Sequence, residues 1–235
     1  MVWGAATMTQ ESVPTDPPVN AATLRRQRDH WDRTFAAHPA MYGTEPSASA
    51  RTAAALFRAE GVATVLELGA GEGRDALFFV RHGFRVQAAD FSADATAAIA
   101  EKAAAAQLSS ALTALRHDAH EPLPVDAGAF DACYAHMLLC MDLTTAEIER
   151  LVGEVRRVLR PGGLFVYTVR TTDDAHYRAG IARGDDLYEH SGFIVHFFSR
   201  ALVERLATGW PLLDVTDVEE GELPRRLFRV TMRRS

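Results

Sequence analysis

The chain has 235 residues, 48% of them hydrophobic, and a formal net charge of −6 at pH 7. This length and apolar content predict one domain with a substantial core. The acidic balance, without a basic face, argues against nucleic acid or an anionic membrane as a partner. The absence of an apolar run of about 18 residues argues against a membrane helix.

Residues 1–20 contain three prolines but neither the charged start nor the apolar centre of a signal peptide. We expect them to form a flexible leader ahead of a single domain over residues 21–235, in a cytoplasmic protein. This domain opens with a predicted helix around Trp31 and Asp32, followed by Tyr42-Gly43 and Pro46-Ser47.

The most informative segment is a glycine-rich turn. The apolar run Ala63 to Leu68 predicts a strand, and Arg74 to Val80 predicts a helix. Between them Gly69, Gly71 and Gly73 leave no Cβ atoms on one side of a tight turn, so a ligand can approach the backbone closely. Open α/β sheets hold nucleotide-like ligands at such a strand–turn–helix junction.

The turn does not fit the fingerprint of NAD-binding proteins. In G-x-G-x-x-G counted from Gly69, the third glycine would fall on Arg74. Glu67 precedes the first glycine, and a carboxylate there repels a pyrophosphate but suits a ligand with an amine and a positive centre. With this E-x-G-x-G-x-G turn the chain resembles the class I S-adenosylmethionine (SAM)-dependent methyltransferases. The resemblance implies SAM as the cofactor, contacted by Glu67, Gly69, Ala70, Gly71 and Arg74.

Two further acids stand at the ends of predicted strands. Asp90 closes the second strand about 20 residues past the first glycine, where an acid accepts hydrogen bonds from the ribose hydroxyls. Phe91 follows it and is expected to pack against the adenine ring. Asp118 ends the third strand, Leu112 to His117. In the family that the chain resembles, an acid at this position binds the adenine amino group, and the next backbone amide, here that of Ala119, serves a ring nitrogen.

The sequence predicts neither a metal site nor a disulfide. His117 and His120 lack metal-ligand spacing to cysteine or further histidine, so we expect both to be solvated. Cys133 and Cys140 lie in or just after an inner strand and are expected to be buried thiols.

The rest of the chain continues the alternation of strands and helices. The predicted features are a strand at Phe130 to His136, a capping box Thr144-x-x-Glu147 opening a helix, a strand at Leu164 to Val169, a helix capped by Ser199, and strands at Leu212 to Val218 and Leu227 to Met232. The expected fold is a Rossmann-like, doubly wound α/β domain. Its seven-stranded sheet is mostly parallel with an antiparallel strand near the C-terminus, and helices cover both faces.

We expect the residues that contact the methyl acceptor to lie in loops above the strand ends. His136, at the end of the fourth strand, is the candidate catalytic base, and a structural hydrogen bond is the alternative. Tyr134 is placed near the methionine part of SAM. The aromatic-rich insertion over residues 171–198 predicts an apolar lid. His196, within it, is a candidate substrate contact or part of a strand-like turn.

The pattern W-D…Y-G-x-x-P-S resembles the small-molecule branch that includes tellurite-resistance and thiopurine-type methyltransferases. In that branch the N-terminal helix closes over the cofactor. The resemblance implies a cofactor contact for Trp31 and a substrate contact for Tyr42. A core position is the alternative for Trp31.

The chain is therefore predicted to transfer the methyl group of SAM to a small-molecule nucleophile by in-line displacement. Resemblance favours a thiol or other soft sulfur-type acceptor, and O- or N-methylation of a natural product stays open. Enzymes that methylate amide nitrogens in DNA or protein glutamine carry an N-P-P-Y-type tetrapeptide after the fourth strand. This chain has Ala135-His136-Met137-Leu138 there, which argues against that activity. A nicotinamide-dependent oxidoreductase and a non-catalytic SAM-binding protein are the alternatives from other classes. The oligomeric state stays open.

Overall fold

A computed structural model describes residues 21–37, 43–221 and 225–235 of the chain. The predicted leader, residues 1–20, lies outside the described residues. The helices are α1 (Ala21–Ala37), α2 (Ala48–Ala59), α3 (Arg74–Arg81), α4 (Ala93–Ala105), α5 (Thr145–Val158) and α6 (Arg200–Leu206). The strands are β1 (Thr64–Leu68), β2 (Arg85–Asp90), β3 (Leu112–Arg116), β4 (Phe130–His136), β5 (Leu159–Arg170), β6 (Ile181–Gly184), β7 (Leu187–His190), β8 (Phe193–His196), β9 (Leu212–Glu220) and β10 (Arg225–Arg233).

Seven strands form one sheet in the order β3-β2-β1-β4-β5-β10-β9. Strands β1 to β5 pair in parallel, whereas β10 runs antiparallel to both β5 and β9. The predicted fold class is confirmed. The strand order reverses between β1 and β4, and in open α/β sheets the crevice outside the strand ends at such a point holds ligands.

Both faces of the sheet are buried, which explains why the inner strands read as continuous apolar runs. One face packs Tyr134 and Val166 against Phe57 of α2 and Phe79 of α3. The opposite face packs Cys133, Phe165 and Val230, among others, against α5 and α6. Cys133 and Cys140 are free, buried thiols, as predicted.

The predicted caps of α5 and α6 are confirmed. Ser199 accepts a hydrogen bond from the amide of Leu202, and Thr144 with Glu147 forms a complete capping box. Ser92 caps α4 in the same way, by accepting a hydrogen bond from the amide of Ala95. Helix α2 was not predicted. It is an alanine-rich amphipathic segment capped by Ser47, whose hydroxyl accepts the amide hydrogen of Ala50.

The insertion forms a second, three-stranded antiparallel sheet, β6-β7-β8, which we call the small sheet. It is held to α1 through Gln27, a residue only 4% exposed. The Gln27 amide donates to the carbonyl of Gly192 over 2.7 Å and accepts from the amide of Ile194 over 3.1 Å. Two segments far apart in the chain therefore make one layer above the strand ends.

Candidate active site

A cavity of about 820 Å³ lies outside the carboxyl ends of β1, β2 and β4, under the small sheet and α1. This volume falls in the range of small-molecule sites. Its lower wall includes Glu67, the glycine turn, Asp90 and Asp118, and its upper wall includes Trp31, Tyr188, Phe193 and Phe197.

The glycine turn offers space rather than hydrogen-bond donors. Gly69, Gly71 and Gly73 have φ values of 70°, 51° and 81°, a region that side chains disfavour. A Cβ on Gly69 would stand 3.0 Å from Leu138. The amides of Gly69 and Ala70 donate to the carbonyl of Ala89, and the amide of Gly71 donates to Asp90. A pyrophosphate would need such amides free, so the turn does not present the anion site of a dinucleotide-binding protein.

Glu67 brings an unpaired carboxylate oxygen to this wall. The residue is 3% exposed and lines the cavity, and its Oε2 has no hydrogen-bond partner. Burial, followed by the negative charge of Asp75, holds the pKa of Glu67 well above its usual range. A buried carboxyl group without a partner costs folding free energy unless a ligand satisfies it. The amino group of SAM has the chemistry that fits this oxygen.

Asp90 lies at the end of β2, where it lines the cavity with Phe91. Its Oδ2 accepts the amide hydrogen of Gly71 over 2.8 Å, and its Oδ1 accepts that of Ser92 over 3.0 Å. Burial raises the pKa of Asp90, and these backbone hydrogen bonds oppose the rise. A carboxylate has about four acceptor positions, so two remain for ribose hydroxyls.

Asp118 also lines the cavity, together with Ala119. It forms an ion pair with Arg28 of α1 and accepts a hydrogen bond from His120 Nδ1 over 2.8 Å. Burial raises the pKa of Asp118, but the hydrogen bonds from His120 and the charge of Arg28 outweigh it and lower the pKa to about 2. Arg28 therefore shares the carboxylate that was predicted to bind the adenine amino group.

The prediction that His117 and His120 are solvated is wrong. The His120 side chain is 13% exposed, since Asp118 holds its ring against the protein. His117 is half-buried, and burial lowers its pKa.

Two predicted contacts lie away from the cavity. Tyr134 is fully buried in the core against α2 and α3, where its hydroxyl lies 3.0 Å from Ser47 Oγ. His196 is 1% exposed, and its Nδ1 lies 2.7 Å from the carbonyl oxygen of Leu143. Neither side chain is among the cavity-lining residues. Strand alternation turns His196 away from its neighbours Val195 and Phe197, which do line the cavity. His196 belongs to a strand, which is the alternative that the sequence left open. Tyr42 lies outside the described residues.

Trp31 and Arg74 reach the cavity from opposite sides. The Trp31 ring packs edge-on against Phe193 of the small sheet, with ring centroids 4.8 Å apart. Arg74, in the first turn of α3, lies 3.4 Å from Glu220 Oε1.

His136 lines the cavity, but both of its ring nitrogens have partners. Nδ1 lies 2.8 Å from the hydroxyl of Thr168, and Nε2 lies 3.3 Å from Glu220 Oε2. The hydrogen bond to Thr168 matches the structural role that was the alternative to catalysis.

Sequence reasoning missed several cavity residues. Met137 has a φ of 61°, which is unusual for a residue other than glycine and marks a constrained site. Arg170 is 8% exposed, pairs with Asp174 and donates to His176 Nδ1 over 2.7 Å. Glu220 lies at the end of β9, more than 80 positions after His136 in the sequence. None of these residues belongs to a local motif, and the constrained backbone at Met137 has no sequence signal.

Two properties hold for residues 21–37, 43–221 and 225–235, the part of the chain that the structure describes. Among them, no group of three His, Cys, Asp or Glu side chains is arranged to hold a metal ion. None of the helices in this part of the chain has the length and apolar character needed to cross a membrane.

Comparison with known proteins identifies the domain. A family model described as a methyltransferase domain matches residues 65–163. No curated protein matches the chain. The 1,6-didemethyltoxoflavin-N1-methyltransferase of Burkholderia thailandensis, solved with S-adenosylhomocysteine, is 22% identical and has a TM-score of 0.74 over 94% of both chains.

Other solved structures share the fold. A SAM-dependent methyltransferase from Mesorhizobium loti is 20% identical, with a TM-score of 0.62 over 80% of this chain and 99% of that one. The cyclase SpnF is 18% identical, with a TM-score of 0.64 over 94% of this chain and 99% of that one. The tellurite-resistance and thiopurine branch is not confirmed by these comparisons. The family match covers the glycine turn and the strands that follow it, and together with the sheet order it supports a SAM-dependent methyltransferase with the class I fold.

Proposed function

We propose that the chain transfers the methyl group of SAM to a small molecule held between the strand ends and the small sheet. The observation that carries this proposal is the buried, unpaired Glu67 oxygen beside a glycine turn whose first amides are already used. Together they favour a ligand with an amine over one with a pyrophosphate.

In this proposal, the cofactor contacts follow the lower wall of the cavity. Glu67 binds the amino group, and Gly69, Ala70 and Gly71 give the ligand room above the turn. Asp90 accepts the ribose hydroxyls, and Phe91 packs against the adenine ring. Asp118 accepts a hydrogen bond from the adenine amino group, and the amide of Ala119 donates one to a ring nitrogen. Trp31 closes this half of the cavity from α1, and Arg74 orients the turn through Glu220.

When bound, SAM supplies an electrophilic methyl group on a positive sulfur and needs no metal to activate it. The chain's part is to align the acceptor and exclude water. Positioning of this kind accounts for roughly 7–11 kcal/mol of a barrier. The aromatic residues Tyr188, Phe193 and Phe197 of the small sheet and its edge provide an apolar roof for the acceptor.

The size of the cavity and its roof support a small acceptor. The Burkholderia enzyme, which acts on 1,6-didemethyltoxoflavin, supports the same class. A sulfur-type acceptor rests on sequence resemblance alone, so nitrogen, oxygen and sulfur acceptors all belong in the first assay.

Calorimetric titration of the purified chain with SAM and with NAD tests the cofactor. We expect SAM to bind and NAD not to bind, and the reverse result would overturn the proposal. Incubation with methyl-labelled SAM and a panel of thiols, phenols and amines then tests transfer. Binding of SAM without label in any product would favour a non-catalytic SAM-binding protein or an activity like that of the cyclase SpnF.

A further inference from the structure

A chain of hydrogen bonds ends on Glu220 at the cavity wall. The amide of Met137 donates to Thr168 Oγ1 over 3.0 Å, and the same oxygen lies 2.8 Å from His136 Nδ1. The carboxylate of Glu220 is ionised at neutral pH and only accepts hydrogen bonds, so His136 Nε2 is the donor and Nδ1 of the neutral ring accepts the hydroxyl proton of Thr168. The neutral His136 ring then carries its own proton on Nε2, which lies 3.3 Å from Glu220 Oε2. His136 is therefore a donor to Glu220.

This arrangement leaves His136 without a nitrogen lone pair for a substrate. Glu220 differs, because a carboxylate has about four acceptor positions. His136 occupies one of them, and Arg74 lies 3.4 Å from the other oxygen. The Glu220 side chain is 26% exposed and lines the cavity, and Arg74 ties it to the helix that follows the glycine turn.

We propose that Glu220 accepts the proton of a neutral N–H nucleophile such as an azole, and that His136 is the positioning residue that orients Glu220. This inference rests on the proposed function and narrows its acceptor class to neutral nitrogen.

The charges around Glu220 favour a neutral acceptor. The titratable and charged groups that face it are Arg74 and Asp75 of α3, Tyr134 and His136 of β4, and Arg225, its register partner on β10. Burial raises the pKa of Glu220, but the hydrogen bond from His136 and the charge of Arg74 outweigh it, so the pKa lies below its usual range. An ionised carboxylate repels a thiolate or phenolate. It stabilises the cationic N–H that forms when a neutral nitrogen gains a methyl group.

The overall step balances in atoms and electrons. The lone pair of the acceptor nitrogen forms the new N–C bond, while the pair of the breaking S–C bond stays on sulfur and leaves a neutral thioether. In a methylated azole the acceptor nitrogen carries no hydrogen, so the other ring nitrogen then loses its N–H proton to Glu220, which releases it to water. A methylated azole cation is far more acidic than the neutral azole, so a carboxylate is a sufficient base.

The test uses three acceptors of similar two-ring size: benzimidazole, naphthol and naphthalenethiol. We expect label from SAM to reach benzimidazole in preference to the other two. Glu220→Gln keeps an oxygen that accepts from Arg74 but removes the negative charge. It should lower kcat for benzimidazole about 100-fold and weaken benzimidazole binding measured by calorimetry, with the Kd for SAM unchanged. Glu219→Gln is the matched control. The Glu219 carboxylate is next to Glu220 in the sequence, but it is 64% exposed and lies near Arg226. We expect it to behave as the wild type.

Several results would overturn the inference. These are an unchanged kcat in Glu220→Gln, preferential labelling of naphthol or naphthalenethiol, and labelling of none of the three while SAM is bound. Each of these leaves SAM binding intact. Failure of SAM to bind would instead overturn the proposed function.

Thr168→Val tests the positioning role of His136. The substitution keeps the shape of this fully buried side chain and removes the hydroxyl donor to Nδ1. We expect the carbon NMR shift of His136 Cδ2 to report an Nε2–H ring in the wild type and a mixture of tautomers in the variant. The value of kcat should fall while KM for benzimidazole is kept. A wild-type ring protonated on Nδ1, or an unchanged kcat, would contradict the assignment.

Discussion

Ser47 and Asp75 join helices α2 and α3 behind the glycine turn. Asp75 accepts the amide hydrogen of Ser47 over 2.7 Å and its hydroxyl hydrogen over 2.8 Å. The Ser47 oxygen also accepts the amide hydrogen of Ala50 as the cap of α2. The Pro46-Ser47 part of the sequence pattern therefore has a structural role that fixes the helix following the cofactor turn.

Ser47→Ala should destabilise the fold. The change removes one donor from a buried carboxylate and the cap of α2, which together cost about 2–4 kcal/mol in the free energy of unfolding. Urea denaturation measures the loss. Ser49→Ala is the control, because Ser49 is equally buried at 4% exposure but makes none of these bonds. Equal losses in the two variants would contradict the role of Ser47.

Glu67→Gln should stabilise the ligand-free protein at neutral pH and weaken SAM binding. Burial and Asp75 raise the pKa of Glu67, so the folded chain keeps a proton that the unfolded chain releases above about pH 4.3. Stability therefore falls as the pH rises from that value toward the folded pKa. The variant removes this dependence and, by losing the charged partner of an amine, weakens SAM binding about tenfold or more. Denaturation at pH 4 and pH 7 and calorimetry with SAM check both effects.

Asp90→Ala should weaken SAM binding by more than about tenfold, since hydrogen bonds to a charged group contribute about 1.5–3 kcal/mol. The same substitution releases the amide of Gly71. Asp94→Ala, on the exposed first turn of α4, serves as the control in the same titration. An unchanged SAM affinity in Asp90→Ala would exclude the ribose role.

Gly73→Ala should destabilise the protein more than Gly83→Ala. Both glycines have positive φ, but a Cβ at Gly73 would stand 2.7 Å from Ile99 Cγ1, whereas a Cβ at Gly83 meets nothing within 4 Å. Backbone strain costs about 1 kcal/mol or more in each variant, and overpacking adds about 1–3 kcal/mol in the first. The difference in melting temperature between the two variants measures the cost of the overpacking. Equal melting temperatures would show that Ile99 moves aside without cost.

Gln27→Ala should loosen the small sheet. The variant removes the acceptor of the Ile194 amide, whose hydrogen exchange should accelerate about tenfold. Amides of β10 serve as the internal reference, because they lie in the main sheet. Unchanged exchange at Ile194 would mean that α1 does not hold the small sheet in place.

The main sheet and the lower wall of the cavity were predictable from sequence. Apolar runs, glycines with positive φ and acids at strand ends are local signals, and Glu67, Asp90 and Asp118 all line the cavity as their spacing predicted. How far from the strand end a side chain still meets the cavity was not predictable from the local pattern. Tyr134 and His136 stand two residues apart on β4, yet His136 lines the cavity while Tyr134 is buried against α2 and α3.

The upper wall was less accessible to sequence reasoning. Strands β6 to β8 are only four residues long, which is too short for a periodic pattern to mark them. Glu220 reaches His136 because β10 runs antiparallel to both β5 and β9, which brings the carboxyl end of β9 to the same edge of the sheet as that of β4. Such a contact depends on the order of strands in space, which the local pattern of β9 does not contain.

The cavity is divided between two stretches of the chain. Residues 67–119 line most of the wall to which we assign the cofactor, residues 136–225 line most of the wall to which we assign the acceptor, and α1 adds Arg28 and Trp31. Under the proposed function, substitutions in the later stretch change which molecule is methylated while the donor site is inherited intact. The same division gives protein engineers a separate region in which to vary acceptor preference.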